Sequence, residues 1–119
     1  MVLVDTSVWV DHLRYGNPRL ASLLEEGEVF CHPFVIGELA CGHLPDRART
    51  LRRLSDLPRT CLAGQDEVMG IIETHQLMSL GIGFIDVHLV ASARLSGIPV
   101  WTRDLSLKKA AAKLGVLFS

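Results

Sequence analysis

Four carboxylates stand where they could do chemistry together: Asp5, Glu38, Asp86 and Asp104. Asp5 follows the apolar run Val2-Leu3-Val4, and Asp104 follows Val100-Trp101-Thr102 and Arg103. Short β-branched and apolar runs of this kind read as buried strands. In an open parallel sheet, ligands bind outside the carboxyl ends of the strands, where both aspartates fall. Glu38 follows Phe34-Val35-Ile36-Gly37 and Asp86 follows Phe84-Ile85, so both lie beside apolar helix faces. Four carboxylates drawn to within about 4 Å would repel by roughly 1 kcal/mol per pair in water, and by more at a protein-like dielectric. Such a cluster persists by taking up protons or a cation. All-oxygen donors select Mg²⁺, with Mn²⁺ able to substitute, rather than zinc. An ion so held can activate water and neutralise charge on a phosphoryl oxygen, which is phosphodiester hydrolysis.

Each acid also has an ordinary structural role open to it. Asp5, Asp86 and Asp104 are good helix caps, and Glu38 fits a solvated helix position. Arg49, Arg52 and Arg53 share a helical face, with Arg47 and Arg59 nearby, and Lys108, Lys109 and Lys113 form a second basic group. These could contact phosphates or simply face solvent. Arg103, beside Asp104, is the substrate-contact candidate. None of the histidines (His12, His32, His43, His75, His88) has metal-ligand spacing, so all are read as structural or surface residues. Trp9 and Trp101 read as core or interface anchors, and the other aromatics are too few to suggest a stacking surface.

The elements that must position these residues alternate. Val2–Val4, Val29–Cys31, Ile98–Thr102 and Val116–Phe118 are expected strands. A helix covers 8–14, capped by Thr6 or Ser7, and Asn17-Pro18 starts another that ends at Gly27. Further helices run over 34–41, from Asp46 to Pro58, over 65–80, over 85–95 closed by Gly97, and from a Ser106 cap to Lys113. Strands alternating with helices imply α/β architecture, a short parallel central sheet covered by helices on both faces. The length of 119 residues fits one domain, taken as 1–119.

The motifs are similar to those of a known family. Val-Asp-Thr-Ser-Val-Trp-Val-Asp at 4–11 resembles the opening motif of the PIN-domain nucleases, particularly the VapC-like toxins of bacterial toxin–antitoxin pairs. Val35-Ile36-Gly37-Glu38-Leu39 resembles the second acidic motif, Ile85 to Ala93 the third, and Trp101-Thr102-Arg103-Asp104 the fourth. The resemblance implies a three-layer PIN-like sandwich and an acidic site of Asp5, Glu38, Asp86 and Asp104. Asp5 and Asp86 would be direct Mg²⁺ ligands, with Glu38 and Asp104 completing the set directly or through water. Ser7 in the first motif and Thr102 in the fourth would support the site. Many relatives carry a further acid where this chain has Ser106, which puts a five-carboxylate version and a second metal in doubt. The activity implied is that of an endoribonuclease, with RNA as substrate, a cognate antitoxin as inhibitor and a homodimer as assembly.

Composition narrows the alternatives. Hydrophobic residues make up 49% and charged residues 21%, which excludes intrinsic disorder. The net charge of −1 means that nucleic-acid binding must rest on a site rather than on global attraction. Three unpaired cysteines without CxxC spacing, and no signal-peptide pattern or apolar run of membrane length, point to a cytoplasmic protein. A haloacid-dehalogenase-like phosphotransferase would use Asp5 as nucleophile but wants a second Asp at position 7, which is Ser7. A receiver domain would need its aspartate after a strand, and Asp56 lies in a helical context. A catalytically inert PIN-like binding module is the remaining alternative.

Overall fold

The computed structural model describes residues 1–119. Its sheet has three parallel strands, β1 (Val2–Val4), β2 (Val29–Phe30) and β3 (Val100–Trp101), in the order β2-β1-β3. Val2 pairs with Val29, Leu3 with Phe30 and Val100, and Val4 with Trp101. The central strand is wholly apolar and every side chain on it is buried, as expected for a parallel strand covered on both faces. Seven helices flank the sheet in the three-layer arrangement: α1 (Thr6–Tyr15), α2 (Pro18–Glu25), α3 (Pro33–Ala40), α4 (Arg47–Ser55), α5 (Gln65–His75), α6 (Phe84–Ser96) and α7 (Leu105–Lys113). None is long and apolar enough to cross a membrane.

The main core joins the strands to α1, α2, α3, α4, α6 and α7 through Leu3, Trp9, Leu20, Val35, Leu54, Leu89 and Leu107. Full burial of each such aliphatic chain contributes about 1.5–3 kcal/mol. A second, smaller core of Val68, Leu77, Val87, Ala91 and Ala110 seats α5 on α6 and α7. Helix α6 belongs to both cores and is buried without interruption from Val87 to Ala93. Small residues at 91–93 let its neighbours approach, and the Ser92 hydroxyl accepts the Ala63 N–H at 3.2 Å. Gly97 ends the helix at φ +68°, a left-handed conformation that costs glycine little.

Local chemistry departs from expectation in four places. The helix over 65–80 is two pieces: α5 stops at His75, Gln76 turns left-handed at φ +52°, and Leu77–Ser79 forms a 3₁₀ turn. The reversal accompanies insertion of Leu77 into the second core. Val116–Phe118 is no full strand; Leu117 makes an isolated bridge to Val100. Helix α7 is capped by Asp104, whose carboxylate accepts the Leu107 N–H at 2.9 Å, and not by Ser106. Helix α1 begins at Thr6 with Asp5 in the cap position, so neither Thr6 nor Ser7 is its cap. The Asn17-Pro18 start is as expected, Asn17 Oδ1 accepting the Leu20 N–H at 3.0 Å.

Candidate active site

Asp5 leaves the sheet where β1 passes into α1. Its N–H still bonds the Trp101 carbonyl, which ties it to β3. Its carboxylate makes no cap bond to α1 and is buried. Instead Oδ2 accepts two hydroxyl protons, from Ser7 and from Thr102, each at 2.8 Å. Each hydroxyl spends its single proton on Asp5 and accepts a backbone N–H in return: Ser7 from Arg103 and Thr102 from Asp104, both at 3.0 Å. The network locks the end of β3 to the start of α1 and aims Asp5. Ser7 and Thr102 are thus both in direct contact with Asp5.

Glu38 stands on the exposed side of α3, where its Oε1 accepts the Thr6 hydroxyl at 2.8 Å. Asp86 sits in the first turn of α6, not at its cap, which is Gly83. Burial pushes its carboxyl up to about 6, and the negative charges of Asp5, Asp104 and Glu38 push the same way. The fold therefore brings all four acids into one field, from four different segments of chain. No three of them form a closed chelate in their present rotamers. The donor set nevertheless suits a hard divalent cation: all the side-chain donors are oxygens, and a bound cation would offset both the burial and the neighbouring charges that raise Asp86.

Asp104 serves two purposes, capping α7 through one oxygen while adding its charge to the field at Asp86. Arg103 pairs its guanidinium with Asp11 Oδ1 at 2.7 Å, an ion pair on an exposed arginine. Arg47 is accounted for structurally, since it donates to the Gly42 and Ala40 carbonyls at the end of α3. Asp56 lies at the C-terminal end of α4, not after a strand.

A model of the PIN domain matches residues 2–113. This chain belongs to the PIN-domain family. Ribonuclease VapC32 of Mycobacterium tuberculosis is 43% identical over 117 residues, covering 98% of this chain and 94% of that protein. Among solved structures, FitAcB from Neisseria gonorrhoeae superposes with a TM-score of 0.66 at 21% identity, covering 94% of both chains. PAE2754 from Pyrobaculum aerophilum gives 0.64 at 18% identity over 94% of this chain and 80% of that one. At such identities the structural likeness speaks for the fold.

Three features of this PIN domain escaped the sequence reading. Thr6 binds Glu38 and Asp11 binds Arg103, and no local pattern announces either. His32 occupies the cap of α3 and accepts the Phe34 N–H at 3.0 Å, a role in which Ser or Asp is commoner. Burial pushes His32 down to about 4, with the charges of His88 and Arg59 adding to the effect. Pro33, which fixes the first helical φ, was the available signal for that cap.

Proposed function

We propose that this protein is a divalent-cation-dependent endoribonuclease, one PIN-like unit over 1–119 that acts in the cytoplasm as a homodimer. The observation that carries the reading is the disfavoured charge of Asp86 beside Asp5, Glu38 and Asp104. The similarity to a protein named as a ribonuclease, over nearly the whole of both chains, supports RNA as the substrate.

In this reading Asp5 and Asp86 hold Mg²⁺, or Mn²⁺ in its place, and Glu38 and Asp104 complete the site directly or through water. When bound, the ion supplies Lewis-acid stabilisation of charge on the phosphate and lowers the pKa of the attacking water. The Ser7 and Thr102 hydroxyls fix the Asp5 carboxylate through Oδ2, leaving Oδ1 free of those bonds. Arg103 contacts the RNA backbone after leaving Asp11. No side-chain nucleophile takes part.

We assign the protein as the toxin of a toxin–antitoxin pair. Two grooves border α1 and share Leu13: one of about 140 Å³ reaches Thr6 and Glu38, the other of about 220 Å³ lies between Trp9, Leu24 and Leu57. Trp9, Leu24 and Leu57 give the second groove an apolar lining suited to an apolar antitoxin segment. Co-expression with the neighbouring small gene product is expected to relieve growth arrest, and unimpeded growth without it would count against the assignment.

The direct test of the nuclease is cleavage of RNA in Mg²⁺, in EDTA and in an Asp5→Asn variant with a wild-type circular dichroism spectrum. Loss in both of the latter is expected. Undiminished, Mg²⁺-dependent cleavage by Asp5→Asn removes the acidic site from the reaction, and absence of any divalent effect favours the inert module.

A further inference from the structure

At the starts of the two helices that carry Glu38 and Asp86 runs a row of rings that carboxylate chemistry does not use. His32, Phe34, His88 and Phe84 follow one another with centroids 5.0, 5.0 and 4.7 Å apart, inclined at 58°, 71° and 90°. The histidines are buried, at 2% and 8% exposure, whereas Phe34 and Phe84 remain 37% and 44% exposed. The His32 ring also holds the Phe34 backbone N–H, so the first exposed ring is anchored twice. Phe34 lies one helical turn before Glu38 on α3, on the same face. Phe84 and His88 bracket Asp86 in the first turns of α6. The two elements that supply Glu38 and Asp86 thus also present the two exposed rings, each within about one helical turn along its helix of the acid that helix carries.

A single exposed phenylalanine carries no message. Two of them, held edge-on by one buried histidine, form a surface whose geometry is set before anything binds. The acids address phosphate through a cation and have nothing with which to hold a base. The chain is also net negative, and its own carboxylates repel RNA, so bulk charge does not supply affinity at this spot. Aromatic faces do, because every base stacks on them whatever its sequence. Single-stranded RNA, with its bases free to splay, is the form that such a surface accepts.

We propose that Phe34 and Phe84 are the stacking platform for the base next to the scissile phosphate of single-stranded RNA, positioned by His88. This rests on the nuclease reading above. Few as the aromatics are in the sequence, α3 and α6 gather these two.

The test is Mn²⁺-supported cleavage of a random-sequence, fluorescein-labelled single-stranded RNA pool by wild type and by Phe34→Leu, Phe34→Trp, Phe84→Leu and Phe84→Trp. Leucine keeps the apolar bulk and removes the π-face, so the fold is preserved. The leucine variants are expected to raise KM by roughly 5- to 100-fold with kcat largely retained. Tryptophan is expected to restore KM, and the dependence of KM on salt to stay as in wild type. Leucine variants that cleave with wild-type KM overturn the platform and leave the nuclease standing. Activity lost in the leucine variants but regained at higher protein concentration, with a shift in oligomeric state, assigns the rings to a second copy of the chain and also overturns it. A wild type that cleaves no RNA removes the nuclease reading and the platform together.

Discussion

Replacing Asp86 by asparagine should make the cation-free protein more stable while destroying its activity. The carboxyl rises from 3.8 to about 6 on folding, through burial and three negative neighbours. At about 1.4 kcal/mol per unit, a shift of about 2 units sets a ceiling near 3 kcal/mol on the cost of its charge at neutral pH. Partial solvent access screens this to about 1.5 kcal/mol. Asp86 also lies in the first turn of α6, where the helix dipole stabilises a negative charge by roughly 0.3–1 kcal/mol. Repulsion and desolvation win, and the net gain for Asp86→Asn is about 1 kcal/mol, or roughly 4 °C in Tm for a chain of this length. The pH dependence has a definite sign. The folded protein keeps this proton up to about 6 and the unfolded chain loses it near 3.8, so folding binds a proton in that window. The advantage of the variant is complete above about 6, shrinks as pH falls and vanishes near 4. His32, pushed down to about 4, moves overall stability the opposite way over an overlapping range, which is why the difference between the two proteins is the quantity to follow. Thermal melts in EDTA at a series of pH values measure it. With saturating Mn²⁺ the order should reverse, because only wild type gains from binding. A variant that melts below wild type in EDTA at pH 7.5 would refute the repulsive cluster.

Other outcomes follow from the same geometry. Asp5→Asn should cut cleavage by at least the roughly 10- to 100-fold that outer-shell partners cost a metal site, with its far-ultraviolet spectrum unchanged, and should lose the Mn²⁺-induced rise in Tm. Thr102→Val keeps the shape but loses the proton given to Asp5 and strands the Asp104 N–H; urea unfolding should show a loss of about 1–3 kcal/mol, whereas Thr102→Ser should stay close to wild type. Leu89→Ala, in the part of α6 shared by both cores, should cost about 2–5 kcal/mol and leave little folded protein at 37 °C, read by circular dichroism. Asp11→Asn frees Arg103 and should lower the KM for RNA, since the guanidinium no longer has to leave an ion pair to reach phosphate; an unchanged KM would remove Arg103 from substrate binding.

Much of the fold was legible because local rules and tertiary demand agree along the strands and α6. Val2–Val4 is apolar throughout and is buried throughout. Asn17-Pro18 starts α2, and Gly97 ends α6. The failures lie where two local rules compete. Asp104 and Ser106 are both good caps, and the chain uses the first, which lets one carboxylate both cap α7 and face Asp86. The apolar spacing over 65–80 is helical, yet burying Leu77 took precedence over continuing the helix, at the expense of a left-handed glutamine. Val116–Phe118 has strand composition but finds only the edge of a two-residue β3 to pair with.

The nearness of Asp5 and Asp104 was legible for a different reason: strand ends are visible in one dimension, and a parallel sheet brings its strand ends together. What that argument misses is whatever turns four nearby acids into an oriented group. Thr102 and Asp5 are 97 residues apart, and nothing in either neighbourhood says that they touch. The Phe34–His88 contact spans α3 and α6 in the same way. The first lies on the seam between β1 and β3, which become neighbours only after most of the chain has intervened. The hydroxyls at that seam satisfy Asp5, and none of the hydrogen bonds around the cluster reaches Asp86, whose carboxyl is pushed up first by burial and then by the charges of Asp5, Asp104 and Glu38. One acid of the group is therefore oriented by hydroxyls, and another is set only by its burial and its neighbours' charges.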